Sequence, residues 1–175
     1  MRLPALKHLV KSVHALAQSR RICVLGSASL LPSFPELGEA GGPLELTYDP
    51  DLLIEPCDEQ IAAVLHEAVG EGSLFANRMG YHADLLRPEI IENLPPGWES
   101  RLVAVDPESN TLALSPEDVF VVKLQTGRPK DLELCRSILH QKLIPEAAVR
   151  ARLNATPMAE RDVILVYRRL QEISA

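Results

Sequence analysis

The chain has 175 residues, 46% hydrophobic and 24% charged, which suits one domain with a proper buried core. No run approaches the roughly 18 apolar residues of a membrane span, the N-terminal segment lacks the continuous apolar stretch of a signal peptide, and three dispersed cysteines form neither a disulfide framework nor a paired zinc motif. A net charge of −6 with no broad basic stripe argues against duplex DNA as a partner, so the expectation is a reduced, cytoplasmic protein without membrane attachment.

Apolar residues at Leu6, Leu9, Val10, Val13, Leu16 and Ala17 recur at helical spacing and predict a helix over 3–17. Ile22-Cys23-Val24-Leu25, closed by Gly26-Ser27, is the pattern of a buried strand entering a turn. Residues 32–50 are rich in proline and glycine and predict a loop around a strand at 44–47. A strand follows over 51–55, and Asp58 is placed to cap a helix ending at Val69, before Gly70 and Gly72. Tyr81 to Leu86 predicts a strand, and 102–105 with 111–114 a hairpin turning through 106–110. Ser115-Pro116-Glu117-Asp118 starts a helix that stops at Gly127. Further helices open near Pro129, at Pro145 and at Thr156-Pro157. This order predicts an α+β (mixed α/β) fold: one domain over 1–175, with a sheet-containing core over 1–115 and C-terminal helices over 116–175.

Charge is distributed unevenly. Ile22 to Asn77 holds ten Asp or Glu and no Lys or Arg, whereas Phe120 to Lys142 holds five basic residues against Asp131 and Glu133. An acidic stretch suits cations and a basic one suits phosphates. Within the acidic stretch, Asp49-Pro50-Asp51 opens a strand, and residues two apart in an extended chain face the same side. Two such carboxylates match the oxygen preference of hard divalent cations, although Asp-Pro-Asp is also ordinary turn chemistry. Gly26-Ser27-Ala28-Ser29 puts small residues at a strand-to-helix turn, where backbone N–H groups and a helix dipole could meet phosphate oxygens.

Lys123 emerges from an otherwise apolar helix and must either snorkel or meet an anion. Arg128 and Lys130 frame the next helix, and Asp131 either pairs locally with Arg128 or has a functional role. Trp98 reads as a packing anchor for its loop. Asp84, flanked by Leu85 and Leu86, stands on the next strand as a candidate third acid, with His82 two residues before it.

These elements together resemble the nucleotidyltransferase superfamily, in which a strand and Gly-Ser turn precede two acids separated by one residue on the next strand. More closely, the chain resembles a bacterial branch related to AbiEii-type abortive-infection toxins. The resemblance runs over about residues 10–145, through Val24-Leu25-Gly26-Ser27, Gly70-Glu71-Gly72-Ser73-Leu74-Phe75, Leu94-Pro95-Pro96-Gly97-Trp98 and Gly127-Arg128-Pro129-Lys130-Asp131. It implies a small mixed sheet flanked by helices, Mg²⁺ or Mn²⁺ on Asp49 and Asp51, and catalysis by Asp49, Asp51 and Asp84. It also implies NTP binding at Gly26, Ser27, Lys123 and Arg128. The expected activity is transfer of a nucleotidyl group from an NTP to an RNA, tRNA or protein acceptor, in a toxin–antitoxin setting with an antitoxin-like protein partner. The alternative is an inactive relative that binds a nucleotide or a partner protein. Two departures stand out: the Gly26-to-Asp49 interval is longer than is typical of the superfamily, and a third acid at Asp84 is not a fixed feature of the branch.

Overall fold

The computed structural model describes residues 1–18, 20–106 and 110–174. They form two compact units, one of 1–90 with 102–114 and the other of 91–101 with 115–174. The first, the sheet unit, contains α1 (Leu3–Ala17), β1 (Arg21–Val24), β2 (Asp51–Glu55), α2 (Glu59–Val69), α3 (Leu74–Met79), β3 (Asp84–Leu85), β4 (Val103–Ala104) and β5 (Thr111–Ala113). The second, the helical unit, contains α4 (Pro116–Thr126), α5 (Pro129–His140), α6 (Glu146–Asn154) and α7 (Glu160–Ser174). The fold is α+β.

The five strands lie in the order β3-β2-β1-β5-β4. β1 runs antiparallel to β2 and parallel to β5, β2 is parallel to β3, and β4 is antiparallel to β5. Continuous apolar runs belong in the middle of a sheet covered on both faces. Ile22-Cys23-Val24 and Leu52-Leu53-Ile54 are such runs, and all six residues are buried at the centre. α1 supplies part of the cover, burying Leu6, Leu9, Val10 and Val13 and packing against α2. His14 and Thr111 are joined by a 2.7 Å hydrogen bond that fixes α1 to β5. α2 begins as expected, with Asp58 Oδ1 accepting from the Ile61 N–H at 2.8 Å.

In the helical unit α4 packs against α5, α6 and α7. Ser115 caps it, accepting from the Asp118 N–H at 3.3 Å and donating its hydroxyl to Asp118 Oδ2 at 2.8 Å. Its other end is closed by Arg169 of α7, which donates to the carbonyls of Leu124 and Gln125 at 2.7 and 2.8 Å. Gly127 makes room for this clamp: a Cβ there would stand 2.0 Å from Arg169 Cζ, and its φ of +67° favours glycine as well. Trp98 is buried, in keeping with a packing anchor. Among the described residues no helix is long and apolar enough to cross a membrane.

Several elements differ from the sequence expectation. Residues 44–46 form a turn, not a strand, with the Thr47 N–H donating back to the Leu44 carbonyl. Buried Leu30, Leu31, Leu37 and Leu44 give the long loop its own packing. The strand expected over 81–86 is reduced to Asp84–Leu85: His82 still donates to the Tyr48 carbonyl, but Pro50 on the facing segment has no N–H with which to continue the ladder. α3 was missed: its sequence Leu-Phe-Ala-Asn-Arg-Met is short and buries no side chain, so no apolar stripe marks it. The last helix begins at Glu160 rather than at Pro157. The hairpin strands pair as expected, but Pro107, Glu108 and Ser109 of the expected turn lie outside the described residues.

Candidate functional site

The Gly26 turn follows directly from β1, and the Leu25 N–H donates to the Asp51 carbonyl at 2.9 Å. Gly26 has φ +45°. A Cβ placed on it would lie 1.8 Å from Asp51 Oδ2, so the carboxylate rests against bare glycine backbone. Any side chain here would displace Asp51. The turn is held by Ser29, fully buried, whose hydroxyl donates to the Gly26 carbonyl at 2.6 Å. The expected helix after this turn is a single 3-10 turn over Ser27–Leu30. A helix dipole therefore contributes nothing substantial at Ser27, because four residues align too few peptide units.

Asp51 opens β2 and is in parallel register with Asp84 of β3. In-register neighbours project from the same face of a sheet. The two acids, thirty-three residues apart in sequence, are thus adjacent at one sheet edge. The Asp84 N–H donates to the Pro50 carbonyl at 3.0 Å, and the His82 N–H to the Tyr48 carbonyl at 2.9 Å. That second bond carries the parallel pattern one step back, setting Asp49 opposite His82. Asp49 and Asp84 are exposed and Asp51 is half-buried. Among the described residues no group of three or more His, Cys, Asp or Glu side chains is arranged to hold a metal ion, so Asp49, Asp51 and Asp84 are not drawn together as one closed cluster.

His82 belongs to no histidine metal-binding spacing in the sequence. A signal was nevertheless there: His82-Ala83-Asp84 repeats the one-residue spacing of Asp49-Pro50-Asp51. Only strand pairing puts the two triplets side by side. The rings of Tyr48 and His82 are tilted against each other with centroids 6.0 Å apart.

The basic residues belong to the helical unit, where their partners are visible. Lys123 Nζ lies 2.9 Å from Asp131 Oδ1, and Arg128 Nε donates to Asp131 Oδ2 at 2.6 Å. Lys123 and Asp131 are both buried. The anion that the lysine meets here is therefore a carboxylate of the same unit, and Asp131 takes the local pairing with Arg128. Burial alone would raise the Asp131 carboxyl, but hydrogen bonds and charge from Arg128 and Lys123 outweigh it and hold the group below the ordinary carboxylate value. Nearby Cys135 is buried against the Phe120 carbonyl, and burial with the Asp131 charge pushes its thiol up to about 12. None of the three cysteines is in a disulfide, and burial likewise raises the Cys57 thiol.

A second acid of the helical unit, Asp118, is fully buried. It accepts from Arg101 Nε and Nη2 at 3.0 Å each, from Ser115, and from Arg152. Arg101 also donates to the Pro96 carbonyl at 3.0 Å, which fastens the 94–101 segment to α4. The specific Leu-Pro-Pro-Gly-Trp and Ser-Pro-Glu-Asp motifs thus meet in one structural network.

A turn of Gly-Ser against an Asp-x-Asp strand, with a third acid in register beside it, is the arrangement expected of nucleotidyl transfer. Residues 1–154 match the family described as nucleotidyltransferase of unknown function (DUF6036). The chain belongs to this family. No curated protein and no solved structure matches it significantly. The family match covers the whole sheet unit and extends through α4, α5 and α6, leaving α7 outside. The matched span therefore takes in every candidate site residue, from Gly26 to Arg128.

Proposed function

We propose that this nucleotidyltransferase is a metal-dependent enzyme whose chemistry is carried by the Gly26–Asp51–Asp84 edge of the sheet unit. The observation that supports it is the contact of the Asp51 carboxylate with bare Gly26, together with the register of Asp51 and Asp84. The donor set fits the implied metal. Asp49 and Asp51 offer carboxylate oxygens, the ligands that Mg²⁺ and Mn²⁺ prefer, and no competing thiolate lies in their triplet. An ion held by Asp49 and Asp51 would supply neutralisation of the triphosphate charge.

The remaining work falls to the chain's own groups. The bare backbone of Gly26 gives its space to the Asp51 carboxylate, which sets that oxygen at the turn where an ion and a phosphate would meet. The acceptor hydroxyl oxygen forms a bond to the α-phosphorus while the bond from that phosphorus to the pyrophosphate bridging oxygen breaks. Pyrophosphate leaves with the electron pair, and the hydroxyl proton passes to the Asp84 carboxylate and on to solvent. Lys123 has Asp131 as its partner, so its expected triphosphate contact would need that pair to be exchanged.

Asp51→Asn tests the assignment. Calorimetric titration with Mn²⁺ should lose its binding heat in this variant while the melting temperature stays near that of wild type. Unchanged Mn²⁺ affinity would overturn the site. A binding-only member of the family is the second reading, favoured by the absence of a closed three-carboxylate group among the described residues. NTP binding without pyrophosphate release would select it.

A further inference from the structure

The proposed transfer leaves the acceptor open between nucleic acid and protein, and the surface of the sheet unit bears on that choice. Residues 1–90 and 102–114 carry seven Lys or Arg against fourteen Asp or Glu, a net charge of −7. Four of the seven cations are already engaged: Arg2 with Glu39, Lys7 with Asp106, Arg20 with Asp58 and Arg21 with Glu55. An RNA acceptor has to place its phosphates against Lys or Arg, whose release of counterions drives such binding. The span that holds Gly26, Asp49 and Asp51 has no Lys or Arg from residue 22 to residue 77.

The two segments that lead to the acids, which meet where the His82 N–H donates to the Tyr48 carbonyl, also expose apolar side chains. Leu46 is 84% exposed and Tyr48 56%, just before Asp49. Leu74 is 88% exposed and Met79 41%, in the helix that leads to Asp84. Leu46 sits in a turn and Tyr48 on irregular backbone, and α3 buries no side chain, so none of these four is explained by core packing. Aromatic, Leu and Met side chains with an acidic surround are the make-up of a protein-docking surface rather than a phosphate-tracking one.

We infer that the acceptor is a protein with a basic and apolar docking surface, and that the nucleotidyl group goes to a serine, threonine or tyrosine hydroxyl on it. This rests on the nucleotidyl-transfer reading. The side-chain oxygen forms the new bond to the α-phosphorus, pyrophosphate leaves with the electrons of the broken bond, and the hydroxyl proton passes to solvent by way of Asp84. Charge complementarity selects the partner: a Lys/Arg-bearing surface is drawn to the acidic unit, which offers a long nucleic-acid backbone few cations.

The test uses the full chain and two fluorescent probes in anisotropy titrations: an amphipathic Lys/Leu peptide of about 18 residues carrying one serine, and a single-stranded RNA of about 20 nucleotides. At about 50 mM salt the peptide should bind and the RNA should not, with peptide affinity falling as salt rises. The double variant Leu46→Ser with Tyr48→Ser, whose side chains are exposed, should melt as wild type does and weaken the peptide by about tenfold or more. RNA binding as tight as the peptide, or peptide affinity unchanged in the double variant, overturns the inference. A parallel titration with each NTP in Mg²⁺ reads the underlying activity separately. If no NTP binds, nucleotidyl transfer fails, and the peptide and RNA titrations still decide what this surface takes.

Discussion

The carboxylates of the two units live under opposite conditions. In the helical unit Asp118 and Asp131 are buried and ringed by cations, Arg101 and Arg152 on the first, Lys123 and Arg128 on the second. In the sheet unit Asp49 and Asp84 are exposed and Asp51 half-buried at a strand end. A buried carboxylate must be matched by charge and hydrogen bonds or it will not stay ionised. A carboxylate open to solvent on one side is hydrated there and carries no such requirement. The most conspicuous acids in the motifs of this sequence therefore divide into two that are buried in ion-pair networks and three that stand at or beside a strand end.

The largest consequence of that division should appear at Asp118. Replacing it with alanine leaves Arg101 and Arg152 facing each other without their shared anion and unfastens the 94–101 segment from α4. Breaking a buried charge network of this kind costs about 3–5 kcal/mol, and urea unfolding should register it. A loss no larger than that of Asp84→Ala would erase the contrast between the units.

Asp131 gives a smaller effect with a pH signature. Its folded-state carboxyl is held below the ordinary value, so its contribution to stability is present above the unfolded value of about 3.9 and disappears as the pH falls through the lower folded value. Asp131→Asn should cost about 2 kcal/mol at neutral pH, in the range for a hydrogen bond to a charged group. Its stability should then vary less than that of wild type below about pH 4. Parallel acid limbs for the two proteins would show that Asp131 is not a structural anion.

The mildest effect on stability, and the sharpest on the site, is expected at Gly26. Alanine there meets both a positive φ and the Asp51 carboxylate. The fold should lose about 1 kcal/mol or somewhat more, as for alanine forced into a glycine conformation. Mn²⁺ affinity should fall far more than this suggests, because Asp51 must swing aside. Retained Mn²⁺ binding with a destabilised fold would make Gly26 a turn residue only.

Much of the fold could be read directly. The 3.6-residue period of α1, the apolar runs of β1 and β2, and the caps at Asp58 and Ser115 are local signals, and each element formed where those signals stand. What failed was also local in cause. The Leu44 segment has strand-like composition, but glycine and proline before it favour successive turns that bury Leu37 and Leu44 together. α3 has no buried side, so periodicity had nothing to mark.

For the site, the sequence by itself determined the Gly26-Ser27 turn and the Asp49-x-Asp51 spacing, because a tight turn and a two-residue repeat need only neighbours along the chain. Tertiary structure alone decided three further matters. It brought Asp84 into register with Asp51, it set His82 across from Asp49, and it gave Lys123 a carboxylate for its partner. The reason is the same in each case. Strand register and buried charge pairing depend on residues distant in sequence, and their geometry is fixed only when the sheet closes and the helices pack.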